Sequence, residues 1–183
     1  MNLAYLERTL KHSCPLVRES VEPHPQTAAV MVSFYARHGK TCVLMIKRSL
    51  DLPVHPGEIA FPGGVYKEED EDLLSTALRE THEELGVELD ESLVIARLPK
   101  VFTLTGFSVT PFAAILPAAP KYTDESSEVD EVLEIPLTSL LSTQQRDVGY
   151  KLSEEMVAYW YRHHRIWGAS AKILAGIGKL VSI

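Results

Sequence analysis

The sequence predicts an α/β domain built on a mixed β-sheet, and three observations lead there. Two apolar β-type runs, residues 27–35 and 41–49, flank an Arg37-His38-Gly39-Lys40 turn and read as a hairpin. An amphipathic, strongly acidic helix follows a Pro-Gly-Gly turn and stops at Gly86. Further strand patterns come later without regular βαβ alternation, which favours a mixed sheet over a doubly wound one.

The chain has 183 residues, a length that suits one domain, 1–183, with a sizeable core. Its formal charge is −7, and no basic stripe is present to neutralise a phosphate backbone, so a nucleic-acid polymer is excluded as partner. A small anionic molecule stays open if a cation bridges it to carboxylates. Cys14 and Cys42 fit no metal-binding spacing and read as core thiols of a reducing compartment. The first fourteen residues alternate charge with apolar side chains, unlike a secretory signal, and no run is long enough to span a membrane. The expectation is a cytoplasmic protein; a homodimer is compatible with it.

Along the chain, residues 2–12 read as an amphipathic helix, and 21–26 as a Pro-rich connector closing an N-terminal segment of 1–26. The hairpin follows. The next stretch, LDLPVHPGEIAFPGG, is dense in Pro and Gly, which sets a backbone path rather than a regular element. After the acidic helix, residues 93–102 and 108–117 read as strands, with Pro111 pointing to an edge or a bulge. Residues 120–128 form a polar acidic loop, 131–136 a short strand and 137–141 a helical turn. Residues 156–167 read as strand–turn–strand, and a helix over 167–181 closes the domain. His163 and His164 would point to opposite faces of a strand and read as surface residues. Trp160 and Trp167 read as closing a core or an interface.

The acidic helix carries the chemistry. At ~100° per residue, Leu74, Ala77, Leu78, Thr81 and Leu85 form one apolar stripe. Glu80 and Glu84 fall ~40° apart on its flank, with Glu83 outside them. Like charges this close repel, at a few tenths of a kcal/mol per i,i+4 pair. The bland reading is a solvated acidic face. The flank position and the upstream Gly-Gly turn favour a site for an oxygen-seeking divalent cation, Mg²⁺ or Mn²⁺. Glu80 and Glu84 are the first candidate ligands and Glu83 a further one; the carbonyl of Gly63 or Gly64 would add an oxygen, because glycine lets a backbone come close. Arg79 would pair with Glu71 or Glu83 and orient the helix.

Gly64…Glu71…Arg79-Glu80-Thr81-His82-Glu83-Glu84-Leu85-Gly86-Val87 resembles the Nudix box, G-x5-E-x7-R-E-U-x-E-E-x-G-U with U aliphatic, over residues 63–87. One extra residue separates Gly64 from Glu71, and Thr81 stands at an aliphatic position. The preceding segment, VLMIKRSLDLPVHPGEIAFPGG, is similar to the motif of the coenzyme A pyrophosphatase subfamily. Ile46 stands there in place of Thr and Pro53 in place of Arg, which removes one guanidinium able to grip phosphate.

The resemblance implies an α/β/α sandwich and metal-dependent hydrolysis of a diphosphate linking a nucleoside to another group. For coenzyme A the products would be 4′-phosphopantetheine and adenosine 3′,5′-bisphosphate; ADP-ribose, dinucleotides and oxidised nucleoside triphosphates are the rival substrates. A Nudix domain that only senses a nucleotide is the rival of another class, and three mutually repelling acids argue against it. Glu80, Glu83 and Glu128 are the candidate catalytic residues, with Glu128 first as general base and Glu80 second. Arg48, His55 and Gly63 are candidates for contacting substrate, with loop bracing as the alternative for His55. Glu71, Arg79 and Gly86 are read as structural. No G-x-S-x-G elbow supports a serine hydrolase.

Overall fold

In the structure, a computed structural model, residues 1–18, 24, 26–123, 126–147 and 156–182 are described. Most of the expected connector at 21–26 lies outside them. The first helix, α1 (Leu3–Ser13), starts where the Asn2 side chain accepts the Ala4 amide at 2.8 Å, and it buries Leu6 and Leu10. The hairpin is β1 (Thr27–Arg37) and β2 (Lys40–Arg48). His38 and Gly39 both have positive φ, 49° and 72°, the turn that matches the twist of a two-residue hairpin.

Two short strands, β3 (Ile59–Ala60) and β4 (Gly63–Val65), follow where the Pro- and Gly-dense composition predicts no regular element. They precede the acidic helix α2 (Leu73–Leu85). The expected strand over 93–102 is broken into β5 (Val94–Arg97) and β6 (Val101–Phe102), either side of Pro99. Then come β7 (Ser108–Ile115), β8 (Val129–Pro136), α3 (Leu137–Leu141), β9 (Gln145–Arg146), β10 (Val157–Tyr161), β11 (His164–Ile166) and α4 (Gly168–Leu180).

Strands β1–β8 form one sheet along the path β3-β2-β1-β7-β5, with β4 also on β1, β6 also on β7 and β8 also on β2. The β1–β7 pair is parallel and the others are antiparallel, so the sheet is mixed. Pro111 corrects its own expectation, because β7 is an inner strand. Its missing N–H falls where β5 gives way to β6, and there its carbonyl still accepts the Leu98 amide at 2.9 Å.

Side-chain alternation explains why β1 and β2 read as nearly continuous apolar runs. Ala29, Met31, Tyr35, Leu44 and Ile46 face the core beneath α2. Val32, Phe34, Val43 and Met45 face the opposite core with α1, α3, α4 and Tyr159. The result is an α/β/α sandwich with both sheet faces covered. The small sheet β9-β10-β11 closes the second side. Trp160 on β10 is 40 % exposed, so it closes no core. His164 is buried, which corrects its reading as a surface residue, while His163, its ring 4.0 Å away, is exposed as expected.

Candidate active site

The site lies where β4, the end of β2 and α2 meet. Asp72 caps α2 by accepting the Ser75 amide at 2.8 Å, and Gly86 ends it at φ 65° with its amide on the His82 carbonyl. Leu74, Ala77 and Leu85 of the expected stripe are buried, with Leu73 added to them, and Leu78 is only half-buried, while Thr81 fits the core by donating to the Ala77 carbonyl at 2.7 Å. Packing this stripe on β1 and β4 carries Glu84 into the interface, where its side chain is only 3 % exposed. Glu80 is 14 % exposed and Glu83 47 %, in the order the helical geometry set out.

Glu84 accepts the Gly63 amide at 3.0 Å, and its other oxygen lies 3.5 Å from Arg48 Nη1. Burial pushes its pKa up to about 8, because the Gly63 amide and the Arg48 charge only partly offset the lost hydration, and Glu80 and Glu128 add like charge. Arg48 is set by a bulge in β2 and by its backbone amide bonding to the Glu58 carbonyl, and its buried Nε has no hydrogen-bond partner among the described residues. A carboxylate short of cationic compensation thus faces a guanidinium with hydrogen-bonding capacity in reserve.

Gly64 is tied to Glu80 by space. A Cβ on Gly64 would fall 2.5 to 2.6 Å from the Glu80 carboxylate, so only glycine lets that group lie against the β4 backbone. Gly63, at φ 154°, has no room either, since a Cβ would collide with Ala29 and Val30 of β1. Both glycines belong to the site through backbone approach. Glu128 is exposed at the start of β8, where its carbonyl accepts the Ser49 amide at 2.8 Å and its charge reaches Glu84. His55 sits at positive φ in the preceding loop with Nδ1 2.9 Å from Glu58, which is the bracing role.

Arg79 corrects one expectation. Its guanidinium grips Asp70, not Glu71, through Nε at 2.8 Å and Nη2 at 2.9 Å, and also reaches Glu80 at 2.6 Å and Glu83 at 3.1 Å. Glu71 is exposed and takes no part. Asp70 is buried and further accepts the Lys67 amide and the Thr76 hydroxyl. Burial alone would raise its pKa, but Arg79 and these donors outweigh it and hold Asp70 at about 2. The signal was in the spacing: five residues separate Gly64 from Asp70, as the Nudix pattern asks, so the extra residue follows the acid instead of preceding it.

The donor set suits a hard divalent cation, being carboxylate oxygens beside a glycine cradle that a Cβ would fill. Among the described residues, no three acids, histidines or cysteines already converge as a ligand group. Glu80 and Glu83 are instead held by Arg79.

The NUDIX domain model matches residues 24–175. The chain belongs to the Nudix family. It is 35 % identical over 151 residues, 80 % of this chain and 78 % of the other, to an uncharacterized Nudix hydrolase, NudL, of Enterobacter sp. (strain 638). These relations make it a Nudix pyrophosphatase. Its fold resembles that of a MutT/nudix family protein from Enterococcus faecalis, with a TM-score of 0.59 and 16 % identity over 98 % of this chain and 73 % of that one. The NUDIX domain of Shewanella oneidensis NrtR, complexed with ADP ribose, aligns with a TM-score of 0.53 and 23 % identity over 64 % and 76 % of the two chains.

Proposed function

We propose that this Nudix hydrolase cleaves the diphosphate of coenzyme A or an acyl derivative, releasing (acyl-)4′-phosphopantetheine and adenosine 3′,5′-bisphosphate. The hydrolysis itself is carried by one observation: Glu84 is buried beside Glu80 and Arg48 with too little positive charge around it. In this reading Glu80 and Glu84, with Glu83 behind them, hold Mg²⁺ or Mn²⁺, and a Gly63 or Gly64 carbonyl adds an oxygen. A cation bound there would neutralise the diphosphate and lower the pKa of an attacking water. Glu80 and Glu83 exchange their hold on Arg79 for that role, while Asp70 keeps the guanidinium in place. Arg48 turns its unpaired Nε and its Nη groups toward a phosphate oxygen. Glu128 takes the proton of the water from the open side of the site.

The coenzyme A assignment rests on the similarity of residues 43–64 to that subfamily's motif. Pro53, where the motif has Arg, favours a second reading in which the same chemistry acts on ADP-ribose, a dinucleotide or an oxidised nucleoside triphosphate. Incubating the protein with Mg²⁺ or Mn²⁺ and coenzyme A, acetyl-coenzyme A, ADP-ribose, NADH and 8-oxo-dGTP, with products identified by mass spectrometry, separates the two. Coenzyme A derivatives should turn over fastest. Faster turnover of another substrate would replace the first reading with the second, and nucleotide binding without any hydrolysis would favour a sensor.

A further inference from the structure

We propose that the groove between the β1–β2 turn, β8 and the β10–β11 turn is a second binding site, for a small phosphate-bearing nucleotide. It encloses about 420 Å³, within the ~300–1,000 Å³ of small-molecule sites. Glu131, at its other end, pairs with Lys47 beside Arg48, but the groove's cations lie far from the acidic helix. The basic end is the turn at Lys40, eight residues along β2 from Arg48, which at ~3.3 Å per residue places it about 26 Å away.

The lining supplies three kinds of contact. Arg37, His38, Lys40 and Arg162 make it basic, on a chain whose formal charge is −7. Arg37 is already spent on Glu134, which also accepts the Tyr35 hydroxyl at 2.7 Å. Lys40 and Arg162 have no carboxylate partner among the described residues, so their charges are available to an anion. Val132, Pro136 and the Tyr161 ring give apolar surface for a flat ring, and Arg162 lies 5.1 Å over the Tyr161 ring, extending that platform. Glu131 lines the same groove; its Oε2 lies 3.3 Å from His164 Nε2, and its other oxygen is left to accept from an amino or sugar hydroxyl group. Cations, an aromatic face and a carboxylate in one volume of this size match a single nucleotide. A bare anion would use only the cations.

Calorimetric titration with AMP and with inorganic phosphate, both in EDTA, tests this. The Glu84→Gln variant serves as the background in which the acidic site is disabled. One equivalent of AMP should bind without metal, should bind equally well to Glu84→Gln, and should weaken at least about tenfold in Lys40→Glu/Arg162→Glu, through loss of charge-assisted contacts. Both side chains are exposed, and circular dichroism of the double variant confirms its fold. Tyr161→Ala should weaken AMP but leave phosphate unchanged. Amide shifts on AMP addition should appear at Gly39 and Leu133, not at Gly63 or Gly64. Absent metal-free binding, or binding untouched by the double variant, overturns the site. Phosphate binding as tight as AMP overturns the nucleotide assignment. A dimer in light scattering that the double variant dissociates would make the groove a contact between copies of this chain, and would overturn the proposal too.

Discussion

Two buried carboxylates bracket α2, and their surroundings drive them in opposite directions. Asp70, just before the helix, receives Arg79 bidentately together with the Lys67 amide and the Thr76 hydroxyl, and is held at about 2. Glu84, in the last turn, has the Gly63 amide and a 3.5 Å approach from Arg48, and burial pushes it up to about 8. Both are under a tenth exposed. Satisfaction, then, not burial, separates a carboxylate that braces a fold from one poised to gain by taking up a cation.

The most severe way to break this contrast is to empty the satisfied end. Asp70→Ala leaves Arg79 without its main partner in a site where the guanidinium is 19 % exposed. It should cost about 3–5 kcal/mol, as for breaking a buried pair, measured by denaturant unfolding. A loss no larger than that of a surface substitution would mean that Glu80 and Glu83 hold Arg79 unaided.

At the other end, Glu84→Gln should reduce turnover about 100-fold or more, the scale of losing one electrostatic contributor to the transition state. The metal-free protein should be no less stable at pH 8, since the substitution removes a charge that is poorly solvated there. Retained turnover would sink the metal-site reading. A marked drop in stability would show Glu84 to be as well satisfied as Asp70.

Acid and alkali should separate the two groups by sign. Asp70 is depressed, so its contribution is present above the ordinary aspartate value and is lost as pH falls from about 4 through about 2, at about 2 kcal/mol in total. Glu84 is raised, so the folded state keeps a proton that the unfolded state has released. Metal-free stability should therefore decline as pH rises from about 4.5 to about 8, and Glu84→Gln should flatten that slope. Thermal melts in EDTA across pH 2–9 read both limbs. A flat profile between pH 5 and 8 in the wild type would contradict the Glu84 assignment. The smallest effect belongs to Glu71→Gln, within about 0.5 kcal/mol and without change in turnover, because an exposed side chain away from such features contributes little. A larger loss would restore the reading in which Glu71 supports Arg79.

Much of the candidate site was legible before the fold was known. Period 3.6 placed Glu80 and Glu84 on the flank of the buried stripe, and the structure adds only that Glu84 goes deeper than the rim. Gly63 and Gly64 were marked by the turn they form, although the reason for Gly64, its contact with Glu80, depends on the distance between β4 and α2. Asp70 was missed because a one-residue insertion can be drawn on either side of an acid, and residue type favoured Glu71. The break at Pro99 and the inner position of Pro111 escaped for a related reason, since strand patterns do not say which neighbours a strand will have.

By itself the sequence determined the alternation of elements, the acidic face of α2 and the glycines beside it, because these follow from local periodicity and backbone freedom. Only the tertiary structure decided which acid Arg79 grips, how far Glu84 is desolvated and that Arg48 and Glu128 face it. Those depend on contacts between segments far apart in the chain, and a pKa is set by everything within a few ångströms, whatever its place in the sequence.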